Sequence, residues 1–165
     1  MEGAAALGPS VPAALVAMHE FLDGGSVTQL SAVLGLTHSG TVRLVDRLAG
    51  QGLVERTEAQ DGRAVSVVLT HAGRRKAVQL LEARAQSVAS ALTALSPGEV
   101  ETLATTLDTM LATITHARLA ARAGAADHRS PPWLCRLCDL DACGRSRGQC
   151  PVNNAATTAP AGTTR

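Results

Sequence analysis

The sequence predicts a mainly helical fold with one small β-hairpin, namely a winged helix-turn-helix followed by a long helical hairpin. Short amphipathic segments joined by a tight turn occupy residues 26–50, and the β-branched run VSVVLT then follows the turn-forming pair Asp61-Gly62. The core is predicted to be aliphatic, because 45% of the 165 residues are hydrophobic while there is one Phe, one Trp and no Tyr.

The first elements are predicted from helix start and stop residues. Residues 1–9 are expected to be disordered, and a helix is expected from about Pro12 to Gly24-Gly25, packed on the helix-turn-helix. Ser26 and Gln29 form an S-x-x-Q pair that predicts a capping box at the start of the next helix.

The second helix of the pair has two chemically different sides. Gly35 is expected to end the first helix in the left-handed conformation, and Thr37 to cap the second. The apolar side of the second helix consists of Val42, Leu44, Val45 and Leu48, whereas Ser39, Arg43 and Arg47 recur every four residues on the polar side, flanked by His38 and Thr41. His38, Ser39, Thr41, Arg43 and Arg47 are therefore the candidates for contacts in a DNA major groove.

The hairpin that follows supplies the wing. Asp61-Gly62 suits a tight turn, and Arg63 next to it is predicted to reach an adjacent minor groove, with Asp61 as the residue that holds its direction. Basic residues concentrate in this half of the molecule: residues 43–76 hold seven basic and four acidic side chains, and residues 1–42 hold three acids and no base. This distribution favours contact with duplex phosphates, although the net charge is only +1.

Two long helices are predicted after the wing. One runs from Ala72 to Leu95, and Ser96-Pro97-Gly98-Glu99 is a capping box that opens a second helix to about Arg122. These two helices contain more apolar residues than the core of a small winged helix requires. The residues therefore form either an intramolecular core or, as we favour, the surface of a homodimer. These residues are Val78, Leu81, Val88, Leu92, Val100, Leu103, Leu107, Met110, Leu111 and Ile114.

These features together resemble the MarR-type winged-helix transcriptional regulators. The resemblance is carried by LGLTHSGTVRLVDRLAGQGLVER, by the D-x-R of Asp61 and Arg63, and by the LT-x-x-G of Leu69, Thr70 and Gly73, and it extends over Pro12 to Ala120. It implies that Ser39, Thr41, Arg43 and Arg47 belong to the recognition helix and that Arg63 is the wing arginine. It also implies a small-molecule effector pocket between the wing domain and the helical hairpin. In the family an additional long helix precedes this region and helps to form the dimer; for this sequence we expect either that this helix is missing or that the true start of the chain lies upstream.

All four cysteines lie near the C-terminus with the spacing C-x2-C-x4-C-x6-C: Cys135, Cys138, Cys143 and Cys150. Four thiolates suit tetrahedral zinc, which we favour, or an iron–sulfur cluster, and a metal-free set of redox thiols is a third alternative. Trp133, Leu134, Leu137 and Leu140 are expected to dock this segment on the helical domain.

The predicted organisation has five parts. They are a disordered N-terminus (1–9), a winged-helix DNA-binding domain (10–76), a helical dimerisation region (77–123), a four-cysteine metal-binding segment (130–151) and a disordered tail (152–165).

The predicted function is that of a dimeric, cytoplasmic regulator, more specifically a repressor, that binds a pseudo-palindromic duplex site. Its four-cysteine metal site is expected to be structural, with a sensory role as the alternative. No run of apolar residues is long enough for a membrane span, and no catalytic Ser/His/Asp set, phosphate loop or carboxylate pair is found, so enzyme activity is not expected. The alternative from another class is a protein-interaction winged helix that serves a redox system.

Overall fold

The computed structural model describes residues 10–58, 65–124 and 133–158. The chain divides into two compact units, one that contains residues up to Ala85 together with Pro131–Asp139, and one that contains Gln86–Ser130 and the residues from Leu140 onward. Helix α4, His71–Leu92, runs through the boundary.

The first unit contains the winged helix. Its elements are α1 (Ser10–Ala17) with a π-helical turn (Met18–Leu22), β1 (Gly25–Ser26), α2 (Val27–Leu34), α3 (His38–Gly50), β2 (Val54–Glu58), β3 (Val65–Leu69) and the first part of α4. The predicted helix from Pro12 to Gly24-Gly25 is thus present, but it begins at Ser10 and stops at Leu22.

The sheet has three antiparallel strands in the order β1-β3-β2, one more than the predicted hairpin. β2 and β3 pair with Val54 opposite Leu69, and β1 adds the pair Gly25 and Val67 on the other side of β3. β1 is only two residues long, so its sequence shows no alternation of apolar and polar residues, and it is defined by its pairing with β3.

An aliphatic core joins these elements, as the composition predicts. Its largest fully buried side chains are Leu15 and Met18 from the first helix, Leu30 from α2, Leu48 from α3 and Val67 from β3. The core therefore fixes α3 from one side against α1, α2 and the sheet.

The second unit contains α5 (Pro97–Gly124), a 3₁₀ turn (Arg145–Arg147) and α6 (Pro151–Thr158). α6 packs on α5, where Ala155 is buried and its carbonyl lies 3.1 Å from the His116 Nε2. The prediction of a disordered tail from residue 152 is therefore wrong for residues 152–158. The remaining tail and the N-terminal residues 1–9 lie outside the described residues.

α6 forms because its first residues favour the start of a helix, which the composition of this segment does not reveal. Pro151 occupies the first helical position, where its missing N–H costs nothing, and the Cys150 sulfur accepts a hydrogen bond from the Asn153 N–H at 3.5 Å.

Within the described parts of the chain, no helix is long and apolar enough to cross a bilayer.

Candidate nucleic-acid interface

Both helices of the helix-turn-helix start from side-chain caps. Ser26 and Gln29 form the predicted capping box on α2, with bonds of 3.2 and 2.8 Å, and Gly35 ends α2 in the left-handed conformation at φ 65°. Thr37 caps α3 by accepting the Gly40 N–H at 3.1 Å. These local bonds set the turn between α2 and α3.

The core and the solvent divide α3 into two faces. Leu44, Val45 and Leu48 are buried. His38, Ser39, Arg43 and Arg47 are exposed, and the last three lie at intervals of four on the side away from the core. The structure thus places four of the five predicted α3 contact residues on one accessible surface, which we call the α3 outer face.

The prediction that Thr41 contacts DNA is wrong for this structure. Thr41 is fully buried, and its hydroxyl donates to the Thr37 carbonyl at 3.0 Å. Its position three residues before Leu44 and four before Val45 already places it on the apolar side of the helix. Thr41 therefore packs α3 on the core.

Two basic side chains of the winged-helix unit are already paired with carboxylates. Arg56 on β2 forms an ion pair of 2.6 Å with Asp46 on α3, and Arg74 on α4 pairs with Asp23. The sequence count of seven basic residues therefore overstates the charge that is available to phosphates. The α3 outer face keeps Arg43 and Arg47 as its guanidinium groups.

Asp23 is a structural residue that the sequence reasoning missed. Besides Arg74, it accepts the Leu69 N–H of β3 at 2.9 Å, so one carboxylate ties the end of the first helix to the wing and to α4. The predicted wing residues Asp61 and Arg63 lie outside the described residues. The described strands of the wing are β2, which ends at Glu58, and β3, which begins at Val65.

The four cysteines are divided between the two units. In the first unit, Cys135 and Cys138 bracket a 3₁₀ turn, Leu134–Leu137, that is closed by a 2.9 Å bond from the Cys138 N–H to the Cys135 carbonyl. In the second unit, half-buried Cys143 and buried Cys150 flank two glycines with φ of 69°, Gly144 and Gly148. Among the described residues, no group of three or more His, Cys, Asp or Glu side chains is arranged to hold a metal ion.

The expected docking of the cysteine segment on the helical domain is wrong for Trp133. Its ring stacks on Phe21 with centroids 6.1 Å apart and planes 7° from parallel, and the backbone N–H of Trp133 donates to the Val33 carbonyl at 2.8 Å. Both partners belong to the winged-helix unit. Phe21 and Trp133 are the one Phe and the one Trp of a chain without Tyr, and a stacked pair of such rings is stabilised beyond the apolar area that it buries.

Comparison with known proteins gives consistent results for this fold. A family model described as the MarR family matches residues 7–64. The chain is similar to a MarR family protein from Bacillus stearothermophilus, with 30% identity, a TM-score of 0.59, and coverage of 66% of this chain and 75% of that one.

Two further structures share the fold at lower identity. MepR, a transcription regulator of the Staphylococcus aureus multidrug efflux pump MepA, is 19% identical with a TM-score of 0.56, and 64% of this chain and 78% of that one are covered. Streptococcus pneumoniae FabT, solved in complex with DNA, is 18% identical with a TM-score of 0.53, and the coverages are 60% and 70%. No protein with a curated description matches the chain.

Proposed function

This chain belongs to the MarR family, whose members are transcriptional regulators, and we propose that it binds duplex DNA in a sequence-specific manner through the α3 outer face. The observation that carries this proposal is the division of α3, with Ser39, Arg43 and Arg47 exposed on one side and the opposite side fixed in the core. Because the core already fixes the backbone of this helix, its outer side chains are presented to a major groove without a further cost for ordering the helix itself.

The residues of this face have separate tasks. Arg43 and Arg47 lie one turn apart, and we assign one guanidinium to a base edge and the other to the phosphate backbone beside it. His38 and Ser39 stand at the helix N-terminus, where the helix dipole favours a phosphate. Arg63, held by Asp61, is assigned to the minor groove on the basis of the sequence alone.

The test is the loss of duplex affinity when the outer face is changed. A binding site is first selected from a random duplex library. Arg43→Ala is then expected to weaken binding by about 1–3 kcal/mol and to relax specificity at one position of the site. Arg145→Ala removes an equal charge from an exposed position in the other unit and serves as the matched control. Equal affinity and equal salt dependence for Arg43→Ala and the wild type would contradict the proposal.

We further propose that the protein acts as a homodimer and as a repressor. Leu103, Leu107, Met110 and Ile114 are exposed in the single chain and follow one another at spacings of four, three and four residues along α5. This spacing makes one apolar stripe, which we call the α5 stripe, and such stripes associate with a second helix of the same kind.

A dimer that binds two half-sites excludes other proteins from the DNA between them, which is the reason for proposing repression. A promoter–reporter fusion with and without the protein measures that repression.

We propose that the four-cysteine segment binds zinc, with an iron–sulfur cluster and a metal-free set of redox thiols as the alternatives. The support is the spacing in the sequence together with the backbone near each pair, since Cys135 and Cys138 flank one closed turn in the first unit and Cys143 and Cys150 flank two left-handed glycines in the second. The zinc, iron and acid-labile sulfide content of anaerobically purified protein distinguishes the alternatives. About one zinc per chain supports the first, and iron with sulfide supports the second.

A further inference from the structure

The 3₁₀ turn Leu134–Leu137 brings two cysteines of the winged-helix unit together. The Cys138 N–H donates to the Cys135 carbonyl at 2.9 Å, which closes the turn. Four residues closed in this way place their first and last Cα atoms within about 7 Å of each other. Side chains three residues apart in a 3₁₀ turn also lie on the same side. Since a disulfide spans Cα separations of about 4.4–6.8 Å, the turn accepts a disulfide between Cys135 and Cys138 without a change of fold.

Hydrogen bonds to neighbouring elements hold this turn in place. The Arg84 guanidinium of α4 donates to the Leu137 carbonyl, and the Arg136 side chain donates to the Trp133 carbonyl at 2.8 Å. The backbone N–H of Trp133 donates in turn to the Val33 carbonyl of α2. Residues before and between the two cysteines are thus fixed, so little chain freedom is lost when the two sulfurs join.

The cysteines of this chain differ in their access to solvent. Cys135 and Cys138 are half-buried, whereas Cys150 is buried and its sulfur accepts the Asn153 N–H. Cys143 is half-buried as well, but it belongs with Cys150 to the other unit. A thiol exchanges with a dissolved disulfide only where the reagent reaches its sulfur. Cys135 and Cys138 therefore combine access with a turn that holds them side by side.

We propose that Cys135 and Cys138 form a reversible redox site whose substrate is a small-molecule disulfide. One cysteine attacks the reagent RSSR, releases RSH and becomes a mixed disulfide with the remaining RS group. The other cysteine then attacks the protein sulfur of this mixed disulfide and releases the second RSH. The two cysteines lose two electrons and two protons, and RSSR gains them as two molecules of RSH.

The size of the closed loop makes this disulfide reversible. A bond between residues three apart constrains the unfolded chain less than a disulfide that closes a long loop, so it adds less stability. Its sulfurs also remain within reach of a reducing thiol, because both cysteines are half-buried. We therefore expect the bond to form and break with the ratio of disulfide to thiol in the surroundings.

The site lies within the winged-helix unit and requires neither DNA nor the other two cysteines. Zinc bound by the same sulfurs would block the exchange, so the full chain is first reduced and freed of metal with a chelator. Oxidised and reduced glutathione are the probe, and N-ethylmaleimide marks the thiols that remain. The zinc content and the DNA affinity are measured on separate samples, so failure of either earlier proposal is distinguishable from failure of this one.

The first test identifies the pair. In the double variant Cys143→Ser/Cys150→Ser, oxidised glutathione is expected to consume both remaining thiols, and dithiothreitol to restore them. Arg136 lies between the two cysteines, so trypsin separates the reduced segment into two peptides that a Cys135–Cys138 disulfide keeps joined. A double variant that keeps both thiols, or that forms disulfides only between chains, would overturn the proposal.

Single variants test the mixed-disulfide step. Cys135→Ser and Cys138→Ser each lack the second thiol, so neither forms the bond within the turn. At least one of them is expected to accumulate the mixed disulfide with glutathione, which mass spectrometry detects on the remaining cysteine of the pair. If that cysteine stays unmodified in both variants, small-molecule disulfides do not reach the site and the proposal is overturned.

The second test separates the folded turn from the sequence spacing. The equilibrium constant for disulfide formation in the double variant is expected to be about tenfold higher in the native chain than in urea, because the folded turn already aligns the sulfurs. Arg84→Ala loses the bond to the Leu137 carbonyl and is expected to lower the native constant, whereas Arg145→Ala in the other unit is the control. A native constant equal to or below that in urea would overturn the proposal. Far-ultraviolet circular dichroism confirms that each variant is folded.

Discussion

Glu99 at the start of α5 is a residue whose charge is coupled to the local structure. Its carboxylate accepts the Ser96 hydroxyl at 2.6 Å and the Ser96 N–H at 2.8 Å. The predicted capping box is therefore half formed, since the Ser96 hydroxyl donates to Glu99 and does not accept from its N–H. The Ser96 hydroxyl, and then the Ser96 N–H, lower the pKa of Glu99 below its ordinary value.

This arrangement predicts the effect of Ser96→Ala on titration. Loss of the hydroxyl removes the larger cause of the shift, so the Glu99 pKa is expected to rise toward its ordinary value, which NMR titration of the carboxyl carbon measures. The stabilisation is present above the pKa of the unfolded chain and is lost as the pH falls through the lower, folded pKa. Thr93→Ala, which lies before Ser96 and does not contact Glu99, is the control. An unchanged Glu99 pKa in Ser96→Ala would contradict this account.

Residue-level prediction from sequence succeeded where neighbours in the chain decide the outcome. Ser26, Gly35 and Thr37 act on groups a few residues away, and all three have the predicted capping roles. Asp23 and Arg74 are far apart in the sequence, so the residues next to each of them do not predict their ion pair. Thr41 is a different case, because its helical position already indicates burial, and a hydroxyl that bonds to the preceding turn of its own helix does not need solvent.

At the scale of elements, the junction of the wing with α4 depends on a close backbone approach at Gly73. A Cβ on Gly73 would lie 2.0 Å from the Leu53 carbonyl oxygen, which belongs to the segment that leads into β2. Thr70 holds the same junction, since its hydroxyl donates to the Gly52 carbonyl at 2.7 Å and accepts the Gly73 N–H at 3.0 Å. The L-T-x-x-G motif is thus explained by packing between β3, α4 and the start of β2.

Gly73→Ala is therefore expected to destabilise the winged-helix unit. Alanine favours a helix over glycine by about 1 kcal/mol. The Leu53 carbonyl oxygen would, however, have to move away from the new Cβ, at a cost of about 1–3 kcal/mol beyond that gain. Urea denaturation followed by circular dichroism measures the change. Gly50→Ala is the matched control, because a Cβ there meets nothing within 4 Å and the helix preference alone applies. A Gly73→Ala protein as stable as Gly50→Ala would refute the packing argument.

Elements were predictable when their own residues carry the pattern. The alternation in β3, the two faces of α3 and the Pro97 start of α5 are all local, and each element is present. β1 exists only through its pairing with β3, and α6 exists through one capping sulfur and the burial of Ala155 against α5. Such elements depend on partners that periodicity within a short window does not include.

At the scale of the whole molecule, the sequence assigns one role to a segment that the structure divides. The cysteine region was predicted as a single part of the chain, yet Cys135 and Cys138 belong to the winged-helix unit while Cys143 and Cys150 belong to the unit of α5 and α6. The cause lies in Trp133, whose ring partner Phe21 precedes it by most of the chain. A spacing of cysteines predicts a kind of ligand, but it contains no information about the surface on which the segment docks.

The α5 stripe leads to the last prediction, which concerns assembly. Residues 101–110 of α5 are exposed on every side in the single chain, and Leu107 and Met110 remain 46% and 53% exposed. The intramolecular-core alternative therefore does not account for these side chains, and a second copy covers them in the homodimer we propose. Leu107→Glu would bury a charge between two such stripes, at a cost that corresponds to roughly a hundredfold weaker association.

Light scattering coupled to size-exclusion chromatography measures this outcome, with dimers expected for the wild type and monomers for Leu107→Glu at the same concentration. Thr109→Glu places the same charge on the opposite side of α5, two residues further on, and is expected to leave the dimer intact. Because a monomer contacts one half-site, Leu107→Glu is also expected to lose affinity for the selected duplex while its α3 outer face stays unchanged. A Leu107→Glu protein that remains dimeric would show that the α5 stripe is not the contact between subunits, and the stripe would then need another partner.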